Sequence, residues 1–304
     1  MNRLGSHDDF ATFLSRFLEG KHQKISVNAG LSCPNRDGKK GTGGCTYCNN
    51  QSFSPAFAGA FRPVAEQLES GKRFFSGKYP TMRYLAYFQS YTATNSSTPH
   101  LMDLFRQALD VENVDGLIIG TRPDCMSGDL LANLKRLAEK HFVMVEYGAE
   151  TSNDSTLATV NRCHTWSDTV NAVNRTKEAG IPVGLHLIMG LPGEGEKEIM
   201  ETIDAVNALP VDIVKCHQLQ LIRGTRLAAQ VDSGEINVRT FEVDEYLSLC
   251  CRIIDRLRTD IAIERFVSQS PDELLIAPRW GLKNYQFTDR LRKLYNSGVY
   301  RKEF

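Results

Sequence analysis

Short apolar runs of strand length alternate, as far as residue 232, with longer stretches in which apolar positions recur at helical spacing, the mark of repeated βα units around a parallel sheet. Lys24–Ala29, Arg83–Gln89, Gly116–Gly120, Phe142–Ala149, Pro182–Met189 and Ile213–Leu221 read as strands. Val64–Ser76, Pro99–Val111, Gly128–Lys140, Thr165–Glu178 and Glu196–Ala208 read as helices, with Thr98-Pro99 and Ser127 as starts and Gly180 as a stop. Six units predict an α/β fold, a partial (β/α)6 TIM-like barrel over residues 24–232, behind an N-terminal segment, residues 1–23. Past Ser233 the alternation stops. A helix over Glu242–Thr259, a short apolar stretch Ile261–Phe266 and a Pro-punctuated tail make residues 233–304 a C-terminal α/β extension. Parallel barrels do their chemistry in the loops that follow the strands. Here those loops are Gly30–Asn50, Ser90–Ser97, Thr121–Met126, Glu150–His164, Gly190–Gly195 and Arg223–Arg226.

Composition narrows the function classes. At 304 residues, 41% hydrophobic and 24% charged, the chain is neither disordered, collagen-like nor a coiled coil. Lys+Arg and Asp+Glu both total 36, so global charge argues for no polyanionic partner. The longest apolar stretches, such as Val183 to Pro192, fall far short of the ~20 residues that span a bilayer, so no membrane association is expected. Met1 to Phe10 carries Asp8 and Asp9 and does not resemble a signal or transit segment; a cytoplasmic chain starting near Met1 is expected. Two local basic segments stand out. Lys21 to Lys40 has five bases to one acid, and Arg279 to Lys302 has seven to one, interleaved with Trp280, Tyr285, Phe287, Tyr295 and Tyr300. The second reads as a nucleic-acid surface or as an amphipathic terminal helix with a solvated basic face.

Of eight cysteines (33, 45, 48, 125, 163, 216, 250, 251), three cluster in the loop after the first strand, and a reducing compartment favours metal or redox chemistry over disulfides. Cys33 precedes Cys45 by eleven intervening residues, and Cys45 precedes Cys48 by two, with Gly38, Gly41, Gly43 and Gly44 between to bend the chain. Three thiolates suit a four-iron cluster with one iron left open to a substrate or cofactor. Structural zinc would need a fourth ligand such as His22, and unliganded core cysteines are the plain alternative. Tyr47 either packs in the core or covers the bound group.

The loop Cys33-x11-Cys45-Thr46-Tyr47-Cys48 resembles the cluster loop of radical S-adenosylmethionine (SAM) enzymes. Tyr87-Phe88-Gln89-Ser90-Tyr91-Thr92 stands where that family has a glycine-rich motif receiving the SAM amino group; without Gly-Gly here, the resemblance implies backbone recognition at Gln89 and Ser90. Thr121-Arg122-Pro123-Asp124 looks like the third strand end of Elongator-catalytic-subunit-like members. Gly148-Ala149-Glu150-Thr151-Ser152 with Asn161-Arg162-Cys163-His164 resembles a stretch that contacts SAM ribose and carboxylate there and in oxygen-independent coproporphyrinogen dehydrogenases. Gly184 to Glu194 resembles the fifth-strand motif that packs on adenine, which implies roles for Ile188, Gly190 and Leu191. The wording Cys33-Pro34-Asn35-Arg36-Asp37-Gly38, His217-Gln218-Leu219-Gln220 and Leu275 to Trp280 looks like the YhcC/YtqA type, close to the Elongator catalytic subunit.

The resemblance implies a [4Fe-4S] cluster on Cys33, Cys45 and Cys48, and SAM as cofactor. It implies reductive cleavage to a 5′-deoxyadenosyl radical, an external electron donor, and an RNA substrate such as a transfer-RNA uridine. Arg162 would pair with the SAM carboxylate or stand as a solvated loop arginine. Glu150 would accept from ribose, hold Arg162, or form a plain salt bridge. Ile188, Met189 and Leu191 are otherwise ordinary core. His186 and His217, polar where barrels carry Val, Ile and Leu, are the substrate-side candidates, with a satisfied core histidine as the alternative. Rival functions are radical chemistry on a small-molecule or tetrapyrrole-like substrate, a non-catalytic iron–sulfur or zinc nucleic-acid-binding protein, and a metal-free barrel using His217 as base.

Overall fold

The six apolar runs form strands lying parallel and in chain order. The computed structural model describes residues 4–52, 55, 57–59, 62–76 and 81–302; the first three residues of the N-terminal segment and the last two of the extension lie outside these. The strands are β1 (His22–Val27), β2 (Arg83–Phe88), β3 (Val114–Thr121), β4 (Phe142–Glu150), β5 (Val183–Met189) and β6 (Ile213–Gln218). Their runs are nearly continuously apolar because both sheet faces are covered; Leu117, Ile118 and Ile119 of β3 are all fully buried. A short helix α1 (Phe10–Leu14) precedes β1, and the outer layer is α2 (Val64–Ser76), α3 (Thr98–Leu109), α4 (Gly128–Ala138), α5 (Asp154–Thr159), α6 (Trp166–Glu178) and α7 (Glu196–Asn207). The Ser127 start and the Gly180 stop act as read, whereas at α3 the cap position is Ser97 and Thr98-Pro99 are the first helical residues, where proline needs no amide partner. The Ser127 hydroxyl accepts from the Leu130 amide, Thr165 and Asp168 cap α6 reciprocally, and Gly180 follows α6 at φ +78°.

The sheet has one strand more than the alternation supplies. After β7 (Leu221–Ile222), α8 (Arg226–Asp232) and α9 (Val243–Arg256), the stretch Ala262–Arg265 joins the sheet as β8, parallel to β6. The segment that reads as an extension therefore completes the barrel wall; β9 (Leu275–Ala277) then pairs with β7, and α10 (Asn284–Ser297) packs on α9. The sheet curls far enough that side chains of its two edge strands meet: Lys24 Nζ of β1 lies 2.6 Å from Glu264 of β8 and 2.8 Å from Glu146 of β4. Phe13 and Leu14 of α1 plug the end where the strands begin, against Leu85, Ile118 and Met144. Asp9 bridges Ile263, covering the free edge of β8. The opposite end is left for the site.

Packing decides between the two readings of the C-terminal basic segment in favour of the amphipathic helix, and removes one base from the other segment. Trp280 stacks on Phe287 at 5.7 Å, Phe287 and Tyr300 are buried, and Tyr295 and Tyr300 both donate to Asp255 at 2.8 Å. Of the five aromatics only Tyr285 is strongly exposed. They glue an amphipathic terminal helix to α9 instead of forming a stacking surface. Lys24, counted in the first basic segment, is inside the barrel. No helix among the described residues is long and apolar enough to cross a membrane.

Candidate functional site

A cavity of about 240 Å³ opens at the ends of the strands, walled by Tyr87 of β2 and Gln89 just after it, Arg122 after β3, Glu150 of β4, His186 and Ile188 of β5, and His217 of β6. Cys45, Tyr47 and Cys48 close it from the loop after β1. Nine of the thirteen residues singled out from sequence thus face one space: Cys45, Tyr47, Cys48, Gln89, Glu150, Arg162, His186, Ile188 and His217. Cys33, Ser90, Gly190 and Leu191 do not line it. Leu191 lies just behind, in an apolar cluster with Val160, Leu219, Tyr47 and Ile188.

The cysteine loop is braced by the Asn161-Arg162 segment that follows α5. Asn161 Nδ2 donates to the Gly44 carbonyl at 2.9 Å, the Thr46 amide donates to the Val160 carbonyl at 3.0 Å, and Asn35 Nδ2 donates to the Asn161 carbonyl. Gly44 sits at φ +78°, and a Cβ there would meet Arg36 Nε at 2.7 Å, so only glycine lets Arg36 fold back to donate to the Cys48 carbonyl at 2.9 Å. All eight cysteines are free thiols. Among the described residues, no three His, Cys, Asp or Glu side chains converge closely enough to hold a metal ion as they stand. Cys33 is buried at the head of the loop, off the cavity wall. Cys45 and Cys48, however, line both this cavity and a second polar one of about 330 Å³ that also includes Arg36, Tyr91 and Arg226. Free sulfur donors with open space on both sides fit an iron–sulfur cluster, and the same loop supplies the third thiol. His22, the alternative zinc ligand, instead contacts Asp115 at 2.7 Å.

Arg162 is buried at the cavity wall, close to Tyr47 and Cys45. One guanidinium nitrogen donates to the Gly148 carbonyl at 2.6 Å and lies 3.1 Å from Glu150, the other reaches Cys45 Sγ at 3.5 Å, and Nε is buried without a partner. The solvated-loop reading of Arg162 is therefore wrong: the side chain is 9% exposed. Glu150 holds it from a strained position, at φ +67°, where the β4–β5 register shifts between Gly148 and Glu150. Gly148 makes room for this pair, since a Cβ there would lie 2.5 Å from Arg162 and 2.7 Å from Glu150. Both contacts are to ends of long side chains, so Gly148→Ala is expected to fold normally while displacing the pair. SAM affinity, read by equilibrium dialysis on the cluster-loaded chain, should fall about tenfold or more, the size of a lost charge-assisted bond. Unchanged affinity would detach Arg162 from SAM binding.

Beneath the histidines lies a group of buried charges that sequence reading missed. Glu146 of β4 is within 2.8 Å of Lys24 and Lys215, within 2.6 Å of His186 Nε2, and accepts from Tyr87 at 2.7 Å; Lys215 also lies 3.2 Å from Glu264. Burial pushes the Glu146 carboxyl up, but Lys215, Lys24 and His186 together hold it well below the usual range. Burial and then Lys215 lower His186; burial, Arg265 and His186 hold His217 well below its ordinary value. Both imidazoles are neutral at neutral pH. His186 is satisfied by Glu146, whereas His217 Nδ1 is buried with no partner. Glu146, Lys24 and Lys215 were visible as charges inside strand runs, the signal already used for the histidines.

Residues 36–206 match the family model "Radical SAM superfamily", and residues 211–296 match "Radical_SAM C-terminal domain". The uncharacterized protein YtqA of Bacillus subtilis is 32% identical over 92% of this chain and 87% of its own length. A tRNA uridine(34) acetyltransferase of Methanocaldococcus jannaschii is 31% identical over 49% of this chain and 28% of its own. Among solved structures, the archaeal Methanocaldococcus infernus Elp3 with an N-terminal deletion superposes with a TM-score of 0.66 at 16% identity, over 93% of this chain and 64% of that one, a likeness of fold. A barrel with its cysteine loop at the strand ends, matched over more than half the chain by the family model and over nearly all of it by YtqA, belongs to the radical SAM superfamily of enzymes.

Proposed function

We propose that this radical SAM enzyme holds its cluster on Cys33, Cys45 and Cys48 and modifies a nucleoside in RNA, most directly a uridine of a transfer RNA. The observation that carries the cofactor assignment is the meeting of Cys45, Cys48, Tyr47 and Arg162 on one cavity wall. When bound, the cluster and SAM supply an electron and a 5′-deoxyadenosyl radical for hydrogen abstraction. The chain's own residues bind and orient. Arg162, preset by Glu150 and Gly148, pairs with the SAM carboxylate; Gln89 and Ser90 offer backbone groups to the amino nitrogen; Ile188, Gly190 and Leu191 back the adenine; Tyr47 shields the cysteines from water. His186 and His217 face the substrate from the far wall.

Support for RNA comes from the tRNA-acting relative and from the bases beside the cysteine loop. Arg36 and Arg226 line the second cavity, and Lys39, in the same loop as Arg36, is 60% exposed. Zero net charge and the small main cavity favour the second reading, a small-molecule or tetrapyrrole-like substrate. The two separate in one experiment on anaerobically reconstituted chain with dithionite and SAM. Adding total tRNA is expected to raise 5′-deoxyadenosine formation and to yield a new nucleoside mass after digestion, with an effect that weakens as salt rises. Cleavage indifferent to tRNA but stimulated by a low-molecular-weight metabolite fraction would replace the RNA reading with the second.

A further inference from the structure

The cavity wall carries one cation that forms no ion pair among the described residues, and the carboxylate beside it, Glu264, is already engaged by Lys24 and Lys215. Inside the barrel, Glu146 and Glu264 are matched by Lys24 and Lys215. At the cofactor side, Arg162 lies 3.1 Å from Glu150 and Arg122 lies 2.9 Å from Asp124. Arg265, at the end of β8, lines the same cavity and has no ion pair among the described residues, and its Nε is buried without a partner. Beside it on the adjacent strand, two residues beyond its register partner Lys215, is His217, whose Nδ1 is equally unpartnered.

This placement is built into the sheet. Val214 pairs with Ile263 but Lys215 pairs with Arg265, so Glu264 is an extra residue in β8. Such a bulge re-aims side chains. Glu264 turns to the buried ammonium groups while Arg265 reaches the cavity. The chain beyond is pinned: Gln218 Nε2 donates to the Ser268 carbonyl at 3.2 Å, the Ser268 amide donates back to Gln218 at 3.1 Å, and Ser270 donates to Gln220 at 2.8 Å. A guanidinium held in place beside an imidazole, with no free carboxylate opposing it, is suited to an oxyanion.

We propose that Arg265 and His217 form an oxyanion subsite that anchors a carboxylate or phosphate of the substrate at the far wall of the cavity. The inference rests on the reading that substrate meets SAM in this cavity. A phosphate belongs to a nucleotide and a carboxylate to a metabolite, so the anion also discriminates between the two substrate readings.

The test uses the full, cluster-loaded chain with 15N-labelled histidines, titrated at constant ionic strength with inorganic phosphate and, separately, acetate. The His217 signals are expected to shift saturably with at least one of them. The apparent Kd should rise about tenfold or more in Arg265→Gln and return to within about threefold of wild type in Arg265→Lys. A response to phosphate alone makes the group a phosphate, and a response to acetate alone makes it a carboxylate. No saturable shift with either, or a wild-type curve in Arg265→Gln, overturns the subsite. The same wild-type preparation is assayed for 5′-deoxyadenosine. Cleavage without anion binding discards the subsite and keeps the radical reading; anion binding through Arg265 without cleavage does the reverse.

Discussion

Cys45→Ala/Cys48→Ala is expected to lose both bound iron and 5′-deoxyadenosine formation down to background. Cys216→Ala, a change at a fully buried thiol of β6 in the hydrophobic core, should retain both. The contrast follows from position. Cys45 and Cys48 adjoin open space on two sides, whereas Cys216 is enclosed by the core with no room for a bound group; burial raises the thiols of both Cys48 and Cys216, so space and not acidity separates them. Iron content, absorbance and product are measured together under anaerobic conditions, with circular dichroism as the check on folding. Because Asn35 and Arg162 approach Cys45 at 3.7 Å and 3.5 Å, some local loosening of the loop accompanies the loss. A doubly substituted chain that still turns over would favour the metal-free barrel with His217 as base. Loss of cleavage with retained iron would move the cluster off these thiols.

What the sequence shows and what it hides divide along a physical line. The six strands were legible because a covered parallel sheet writes each strand as one apolar run, and the cysteine loop because its ligands are neighbours in the chain. The seventh strand was not legible. Ala262–Arg265 is short, and two of its four residues are charged: Glu264 because its ammonium partners lie inside the barrel, and Arg265 because it faces the cavity. Glu146 shows the same limit: it reads as one residue of a strand, while Lys24 is 122 positions away and Lys215 is 69. The bulge that aims Arg265 cannot be seen in alternation at all. The aromatic residues near the C-terminus left two readings open, since composition does not say which face of a helix they occupy, and α9 takes most of them.

Glu146→Leu is expected to be the most destabilising substitution in the barrel, by roughly 3–5 kcal/mol at pH 7, because it strands Lys215 and Lys24 in a buried site with only Glu264 to oppose them. Urea unfolding with the cluster absent measures it. Glu146→Leu/Lys215→Met should recover most of the loss, since the remaining Lys24–Glu264 pair is balanced and apolar side chains fill the vacated space. The pH dependence has a definite sign. Glu146 is held below its unfolded value, so its contribution is complete above about pH 4.5 and drains away as pH falls through the folded value. Wild type and Glu146→Leu should therefore converge in stability below about pH 4.5 and stay parallel from there to neutrality. Lys215 acts the other way, since burial lowers it first and the carboxylates only partly restore it. A constant gap across the acid range would mean that Glu146 contributes by packing and hydrogen bonding alone, and failure of the double substitution to recover stability would mean that the carboxylate organises more than its ammonium partners.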